Sequence, residues 1–252
     1  MEMSVFTIRG KNHRERGVDY GVQCKELIQG VLERYIRFFN GGHTAVSWDE
    51  AKVISKEFLP FIRSYSPELL DELEGIAQGA DVEFDDLLTL NSRSEAMTLV
   101  RRPPSDKEEL DGCSSVAVLP DASANGHTIL AQNWDTYTWQ EYGTVILQIL
   151  RDDGPDLMIV TEAGQLARYG MNQAGIALGV NSLQKTYNPE VFGIPSVFIR
   201  RKFLEQDRYV DAVNQIFGAE SMLPMYYVAA YCGGDAMGFE KLKDGQLVLY
   251  PE

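Results

Sequence analysis

The spacing of apolar residues changes once along this chain, at Cys113, and that change constrains the fold more than any other feature. Upstream the spacing is helical. Val18, Val22, Leu27, Ile28, Val31, Leu32 and Ile36 recur every three to four residues, which predicts helix over 14–40. Ser47-Trp-Asp-Glu50 has the form of a capping box and predicts a helix running to about Ile62. Ser66-Pro67 places a proline in a first helical turn, ahead of a stripe of Leu69, Leu70, Leu73, Ile76, Ala77 and Ala80. Asp85-Asp86-Leu87-Leu88 starts another helix.

From Cys113 onward the spacing is that of strands. Val116–Leu119 and Thr128–Ala131 flank an Asn125-Gly126 turn, and Thr144–Leu150 and Leu157–Thr161 flank Asp152-Asp-Gly-Pro155. Gly175–Val180 is a further apolar strand. A helical stretch follows from about Ile194 to Phe217, then strand-like Tyr226–Tyr231 and a hairpin across Asp244-Gly245. Consecutive hairpins predict antiparallel sheet, and their mixture with helices predicts the α+β class.

The junction itself is chemically suggestive. Residues 101–112 read Arg-Arg-Pro-Pro-Ser-Asp-Lys-Glu-Glu-Leu-Asp-Gly, a polar stretch broken by two prolines, and so an exposed connector. It delivers Gly112 directly to Cys113, the residue that opens the first strand. If the Gly112–Cys113 bond breaks, Cys113 becomes an N-terminus carrying a thiol and a free α-amine. The reference pKa of such an amine, about 7.7–8.0, suits a base working near neutral pH. That pair needs no histidine.

Composition narrows the alternatives. The 252 residues are enough for one large domain with a full core, and the net charge of −14 argues against nucleic acid and anionic membranes as partners. The three cysteines, Cys24, Cys113 and Cys232, are odd in number and widely separated, which predicts free thiols in a reducing, intracellular, cytoplasmic setting. A peroxisomal address, read from a true C-terminus, stays open. The histidines His13, His43 and His127 show no metal-ligand spacing, so no metal and no cofactor are expected. No segment approaches the roughly 18 apolar residues that span a bilayer.

Seven short motifs, in order, carry a resemblance. They are Gly17-Val-Asp-Tyr-Gly21, Leu73-Glu-Gly-Ile-Ala-Gln-Gly79, Leu90-Asn-Ser-Arg-Ser-Glu95, Asp111-Gly-Cys-Ser-Ser115, Gln132-Asn-Trp-Asp135, Thr161-Glu-Ala-Gly164, and Gly170-Met-Asn-Gln-Ala-Gly175 with Asn181-Ser-Leu183. The chain resembles the acyl-CoA:6-aminopenicillanic acid acyltransferases (isopenicillin N acyltransferases), which are self-processing N-terminal-nucleophile hydrolases. The resemblance implies a four-layer αββα sandwich with antiparallel sheets, in one domain over 1–252. It implies a helical α-subunit, 1–112, and a β-subunit, 113–252, that remain associated after cleavage. Members of that family continue beyond this point, to a Thr-Asn-His block and a later Arg, so the resemblance also implies a β-subunit cut short.

The same resemblance implies site roles. Cys113 is the nucleophile and Gly112–Cys113 the cleavage site. Asp135 orients the Cys113 amine, and Asn181 supplies an oxyanion donor. Asn133, Thr136 and Tyr137 are candidates to line the substrate pocket with Trp134 and Trp139; Glu162 reads as structural or, alternatively, as a pocket residue that binds a substrate amine. Asn91, Arg93 and Glu95 read as a polar helix face that becomes a buried network near the scissile bond, and Asn172 as structural. The expected reaction is acyl transfer or hydrolysis on a small acyl-amide or acyl-CoA. The β-alanyl-amine hydrolases that the chain also resembles are the alternative, and an unprocessed, inactive precursor is a second. The residues leave water and an amine equally open as acyl acceptor.

Overall fold

A computed structural model describes residues 3–99, 113–183, 192–242 and 245–251. The connector 101–112, with Gly112, and Asp244 of the final turn lie outside the described residues.

The N-terminal third opens with a strand, β1 (Ser4–Ile8), and continues as helices α1 (His13–Gln23), α2 (Lys25–Phe38), α3 (Trp48–Lys56), α4 (Leu59–Tyr65), α5 (Pro67–Ala80) and α6 (Phe84–Leu99). The predicted helix over 14–40 is two helices, because Cys24 leaves the helical region at φ −108°, ψ 15°. The helix predicted from Ser47 to Ile62 also divides, at Glu57–Phe58. Its start is as read: the Ser47 hydroxyl accepts from Glu50 N–H while the Glu50 carboxylate accepts from Ser47 N–H.

α1 and α5 pack through glycines. Gly17 and Gly21 face Gly75 and Gly79. A Cβ on Gly21 would lie 2.4 Å from the carbonyl oxygen of Ile76, and one on Gly79 would lie 2.3 Å from that of Val18. Two of the seven motifs therefore encode one close helix–helix contact.

The remainder is β2 (Ser114–Val118), β3 (Ile129–Asn133), β4 (Thr144–Ile149), β5 (Leu157–Glu162), β6 (Tyr169–Asn172), β7 (Ile176–Ser182), helices α7 (Ser196–Leu204) and α8 (Tyr209–Gly218), then β8 (Met225–Tyr231), β9 (Asp235–Leu242) and β10 (Gly245–Leu249). Eight strands form one sheet in the order β1-β4-β5-β6-β7-β8-β9-β10, and β2 and β3 form a separate hairpin. The large sheet departs from the antiparallel expectation at one edge, where β1 pairs in parallel with β4, Ser4 opposite Val145. The helical stretch read as Ile194–Phe217 is α7 and α8.

Strand alternation sorts the large sheet into two faces. Val145, Leu147, Ile149, Leu157 and Ile159 are buried on one face. On β7, Leu178 is buried on that side, where α7 packs. On the other face Val5, Met158 and Met171 are 61%, 48% and 48% exposed. Over β7 the β2–β3 hairpin covers this second face, and the missing side chain of Gly179 is where it approaches. A Cβ there would meet Gln132 Oε1 at 3.1 Å and the Cβ of Ser115 at 3.7 Å. Helices, large sheet and small hairpin are thus stacked in sequence, with Cys113 at the entrance to the hairpin. Among the described residues, no helix is long and apolar enough to cross a membrane.

Candidate functional site

Cys113 sits half-buried one residue before β2. The β2–β3 register pairs Ser114 with Asn133, so the end of β3 and the residues after it pass beside Cys113. Its thiol lies 3.9 Å from the backbone carbonyl oxygen of Asp135. The Asp135 side chain accepts instead from Asn133 Nδ2 at 2.8 Å. Asn181, on β7, reaches across and donates from Nδ2 to the carbonyl oxygen of Cys113 at 3.0 Å. Its Oδ1 is buried with no partner among the described residues. Cys113, Asn133, Asp135 and Asn181 are therefore brought together from three strand segments.

A second ring of residues surrounds these. The guanidinium of Arg168 stacks on the Trp134 ring at 3.8 Å, and Tyr169 meets the same ring edge-on at 6.2 Å. Burial pushes the Tyr169 hydroxyl up to about 12; Arg168 opposes the rise and the nearby Cys113 thiol adds to it. Arg168 and Tyr169 were not singled out from the sequence. They precede the Gly170-Met171 motif, and no spacing marks them. Gln132 stands inside the Gln132-Asn-Trp-Asp135 motif with nothing local to mark it, yet its side chain bridges β3 to β7.

Tyr137 is 58% exposed and packs with Phe38 and Trp139, at ring separations of 5.1 and 6.0 Å. This aromatic group follows Asp135 closely in sequence. Thr136 donates to Gln140 Oε1, and Gln140 Nε2 donates to the Tyr35 hydroxyl at 2.5 Å.

Glu162 is placed differently from its reading as a receptor for a substrate amine. It is 1% exposed, and its carboxylate is already surrounded. The Tyr35 hydroxyl lies 2.9 and 3.0 Å from its two oxygens, Arg93 Nη2 donates at 2.8 Å, Arg168 Nη2 at 3.0 Å and Gln165 Nε2 at 2.7 Å. Burial alone would raise this carboxyl, but Arg93, Arg168 and the hydrogen bonds from Tyr35 and Gln165 together outweigh it and hold the pKa below the ordinary value. Glu162 is a buried junction between the helices and β5, not part of an opening.

Asn91 and Glu95 serve the same layer boundary. Asn91 donates to the carbonyl oxygen of Gly164 at 2.8 Å and accepts from Leu166 N–H at 2.9 Å. Glu95 accepts from Ser196 N–H at 2.8 Å. Asn172 donates to the carbonyl oxygens of Leu204 and Gln206 at 2.9 and 2.6 Å, tying the β6–β7 turn to the end of α7.

His13, Glu72 and Glu205 are far apart in sequence, yet their ligand-type atoms lie within 4.8 Å of one another. The guanidinium of Arg201 already occupies that space, 2.8 Å from Glu72 and 3.0 Å from Glu205, with His13 3.1 Å from Glu205. A cation there would have to displace Arg201, so the group reads as a buried ion-pair network.

No family model matches the chain. Among curated proteins, the 40 kDa form of acyl-coenzyme A:6-aminopenicillanic-acid-acyltransferase from Emericella nidulans is 28% identical over 227 residues, 88% of this chain and 60% of that one. The beta-alanyl-dopamine/carcinine hydrolase of Drosophila melanogaster is 27% identical over 197 residues, 71% of this chain and 48% of that one. A solved structure of penicillin V acylase from Agrobacterium tumefaciens overlaps 56% of this chain and 42% of its own at 14% identity, with a TM-score of 0.31, an overlap too partial to carry an argument. The chain spans about half to three fifths of the length of the two curated relatives. It is similar in sequence to an acyl-CoA:6-aminopenicillanic-acid acyltransferase and to a carcinine hydrolase, as its motifs implied.

Proposed function

We propose that this chain is an N-terminal-nucleophile amidohydrolase or acyltransferase that cleaves itself at Gly112–Cys113 and then acts on a small acyl-amide or acyl-CoA. The observation that carries the reading is the convergence on Cys113. Its thiol is half-buried, its carbonyl oxygen accepts from the Asn181 amide, and the segment carrying Asn133 and Asp135 passes beside the thiol.

In maturation, the Cys113 sulfur loses its proton and attacks the Gly112 carbonyl carbon. The C–N bond to Cys113 breaks as its nitrogen takes a proton, leaving a thioester that water opens to the Gly112 carboxylate and the free thiol. In turnover, the new α-amine accepts the thiol proton, and sulfur attacks the acyl carbonyl of the substrate. The proton then passes to the departing amine, or thiol in the case of acyl-CoA, and water or an amine releases the acyl group. An amide NH2 has two hydrogens. One from Asn181 serves the Cys113 carbonyl, and in this reading the other meets a developing oxyanion, a contact worth about 2.7–4 kcal/mol in comparable sites.

Two features support the architecture that this reading requires. The open face bearing Val5, Met158 and Met171 is the side on which a second sheet would extend from the β2–β3 hairpin. The two fragments, 1–112 and 113–252, would stay associated through the buried pairs Tyr35–Glu162, Arg93–Glu162, Glu72–Arg201 and Glu95–Ser196.

Intact-mass spectrometry tests the proposal. The expected result is two co-eluting fragments, the second beginning at Cys113, from the wild-type chain, and a single 28.3 kDa species from Cys113→Ala. A single uncleaved species from both would overturn it.

A further inference from the structure

We infer that Gln132 is the positioning residue that sets Cys113 against Asn181, by acting as a one-residue strand on the edge of β7. This rests on the reading of Cys113 as nucleophile and goes one step deeper into the same site.

The β2–β3 hairpin carries Cys113, and the large sheet carries Asn181. Among the described residues, no backbone ladder joins the two sheets. Their relation depends on side chains, and the tightest of these is Gln132. Its Oε1 accepts from Val180 N–H at 2.8 Å, and its Nε2 donates to the Val180 carbonyl oxygen at 2.6 Å. A carboxamide that pairs both backbone groups of one residue reproduces a rung of a β-ladder. The rung is needed at this point. β6 pairs Met171 with Ala177 and Gly170 with Leu178, and the ladder stops there. Two residues further, Val180 is nearly buried and takes its partners from Gln132 instead.

Gly179 is the socket for this arrangement. The absent Cβ would stand 3.1 Å from Gln132 Oε1, 3.7 Å from the Leu130 side chain and 3.7 Å from the Ser115 side chain. The carboxamide therefore sits flat on β7, one residue before Asn181. Gln132 lies opposite Ser115, two residues along β2 from Cys113. The Gln132–Val180 rung, from β3, and the Asn181–Cys113 hydrogen bond, to the residue before β2, are neighbouring ties from the two arms of one hairpin to β7. Fixing one fixes the reach of the other, whereas a hairpin free to slide on β7 would move the thiol away from the Asn181 amide.

Three variants test this: Gln132→Leu, which removes both bonds, Gln132→Glu, which keeps an acceptor for Val180 N–H but turns an oxygen toward its carbonyl, and Gly179→Ala, which crowds the socket. Each is read by the rate of self-cleavage and by the side-chain amide resonances of Asn181 in uncleaved protein, with thermal unfolding as the control for folding. The expected result is cleavage slowed on the order of ten- to a hundredfold, as for a small misplacement of reacting groups, together with Asn181 amide protons shifted toward the free-amide position. Unchanged Asn181 resonances in folded Gln132→Leu, or in Gly179→Ala if the first variant does not fold, would overturn the inference. If the wild-type chain does not cleave itself, the proposed function falls, and the Asn181 resonances still decide whether Gln132 positions Cys113.

Discussion

Asn181 Nδ2 donates to the carbonyl oxygen of Cys113 at 3.0 Å, so a residue of the large sheet holds the backbone of the residue that opens the small one. Asn181→Asp keeps the shape and replaces the donor with an oxygen facing the carbonyl. Self-cleavage in that variant is expected to fall by about 10²–10³, the cost of losing one oxyanion donor. A time course of intact mass measures it, and a wild-type rate would remove Asn181 from the chemistry.

Glu162→Gln tests the junction between helices and β5. The substitution keeps the size of the side chain but leaves Arg93 and Arg168 without the carboxylate that they share at 2.8 and 3.0 Å. Breaking a buried ion pair from one side costs about 3–5 kcal/mol. The midpoint of urea unfolding is expected to drop accordingly. An unchanged midpoint would mean that water reaches both guanidinium groups.

Acid should weaken the fold through Glu205. Burial raises this carboxyl, but Arg201, His13 and Arg151 together outweigh burial and hold it at about 2. The unfolded value is about 4.3, so the folded state binds the proton later. The stabilisation is therefore fully present above about pH 4.3 and is lost as pH falls toward 2, about 3 kcal/mol in all. Glu162 acts in the same direction. Glu95, whose pKa is raised chiefly by burial, acts in the opposite one. Urea midpoints at pH 7, 5 and 3 for wild type and Glu205→Gln should differ most at pH 7 and converge at the acid end.

The α1–α5 contact makes a prediction about sign. Gly→Ala in an ordinary helix interior stabilises by about 1 kcal/mol. At Gly21 and Gly79 the new Cβ would lie 2.4 and 2.3 Å from a facing carbonyl oxygen. Steric overlap should win, with a loss of about 1–3 kcal/mol or more. Gly218, with nothing within 4 Å of its absent Cβ, is the control and should be neutral or slightly stabilising. Thermal unfolding of the three alanine variants separates the cases.

The legible parts of this chain are those written in local chemistry. Ser47 and Glu50 announce a helix start, Pro67 another, and the Asn125-Gly126 and Gly154-Pro155 turns announce hairpins, because caps and turns need particular residues at short range. The break at Cys24 is invisible because the apolar spacing runs through it. β1 was missed because a five-residue strand gains its place from parallel pairing with β4, some 140 residues away. Motif order singled out Cys113, Asp135 and Asn181, and the fold does bring them together. It did not expose Gln132, Arg168 or Tyr169, whose neighbours depend on how one sheet lies on the other. Glu162 read two ways, structural or amine-binding, and the sequence could not choose for the same reason: the groups around it come from α2, α6 and the turn after β5, a convergence that no single stretch of sequence displays.

The glycine-lined contact between α1 and α5 also bears on the order in which the molecule is made. Both of its partners lie within the first 80 residues, before any strand of the Cys113 hairpin. Backbones that meet without intervening side chains need no later segment to complete their fit. On the ribosome, this pair can close while the chain from β2 onward is still unsynthesised. The polar partners of the same two helices come later: Arg16 meets Asp153, Tyr20 meets Gly164 and Glu72 meets Arg201, so the pair's contact and its charges are completed by different parts of the chain.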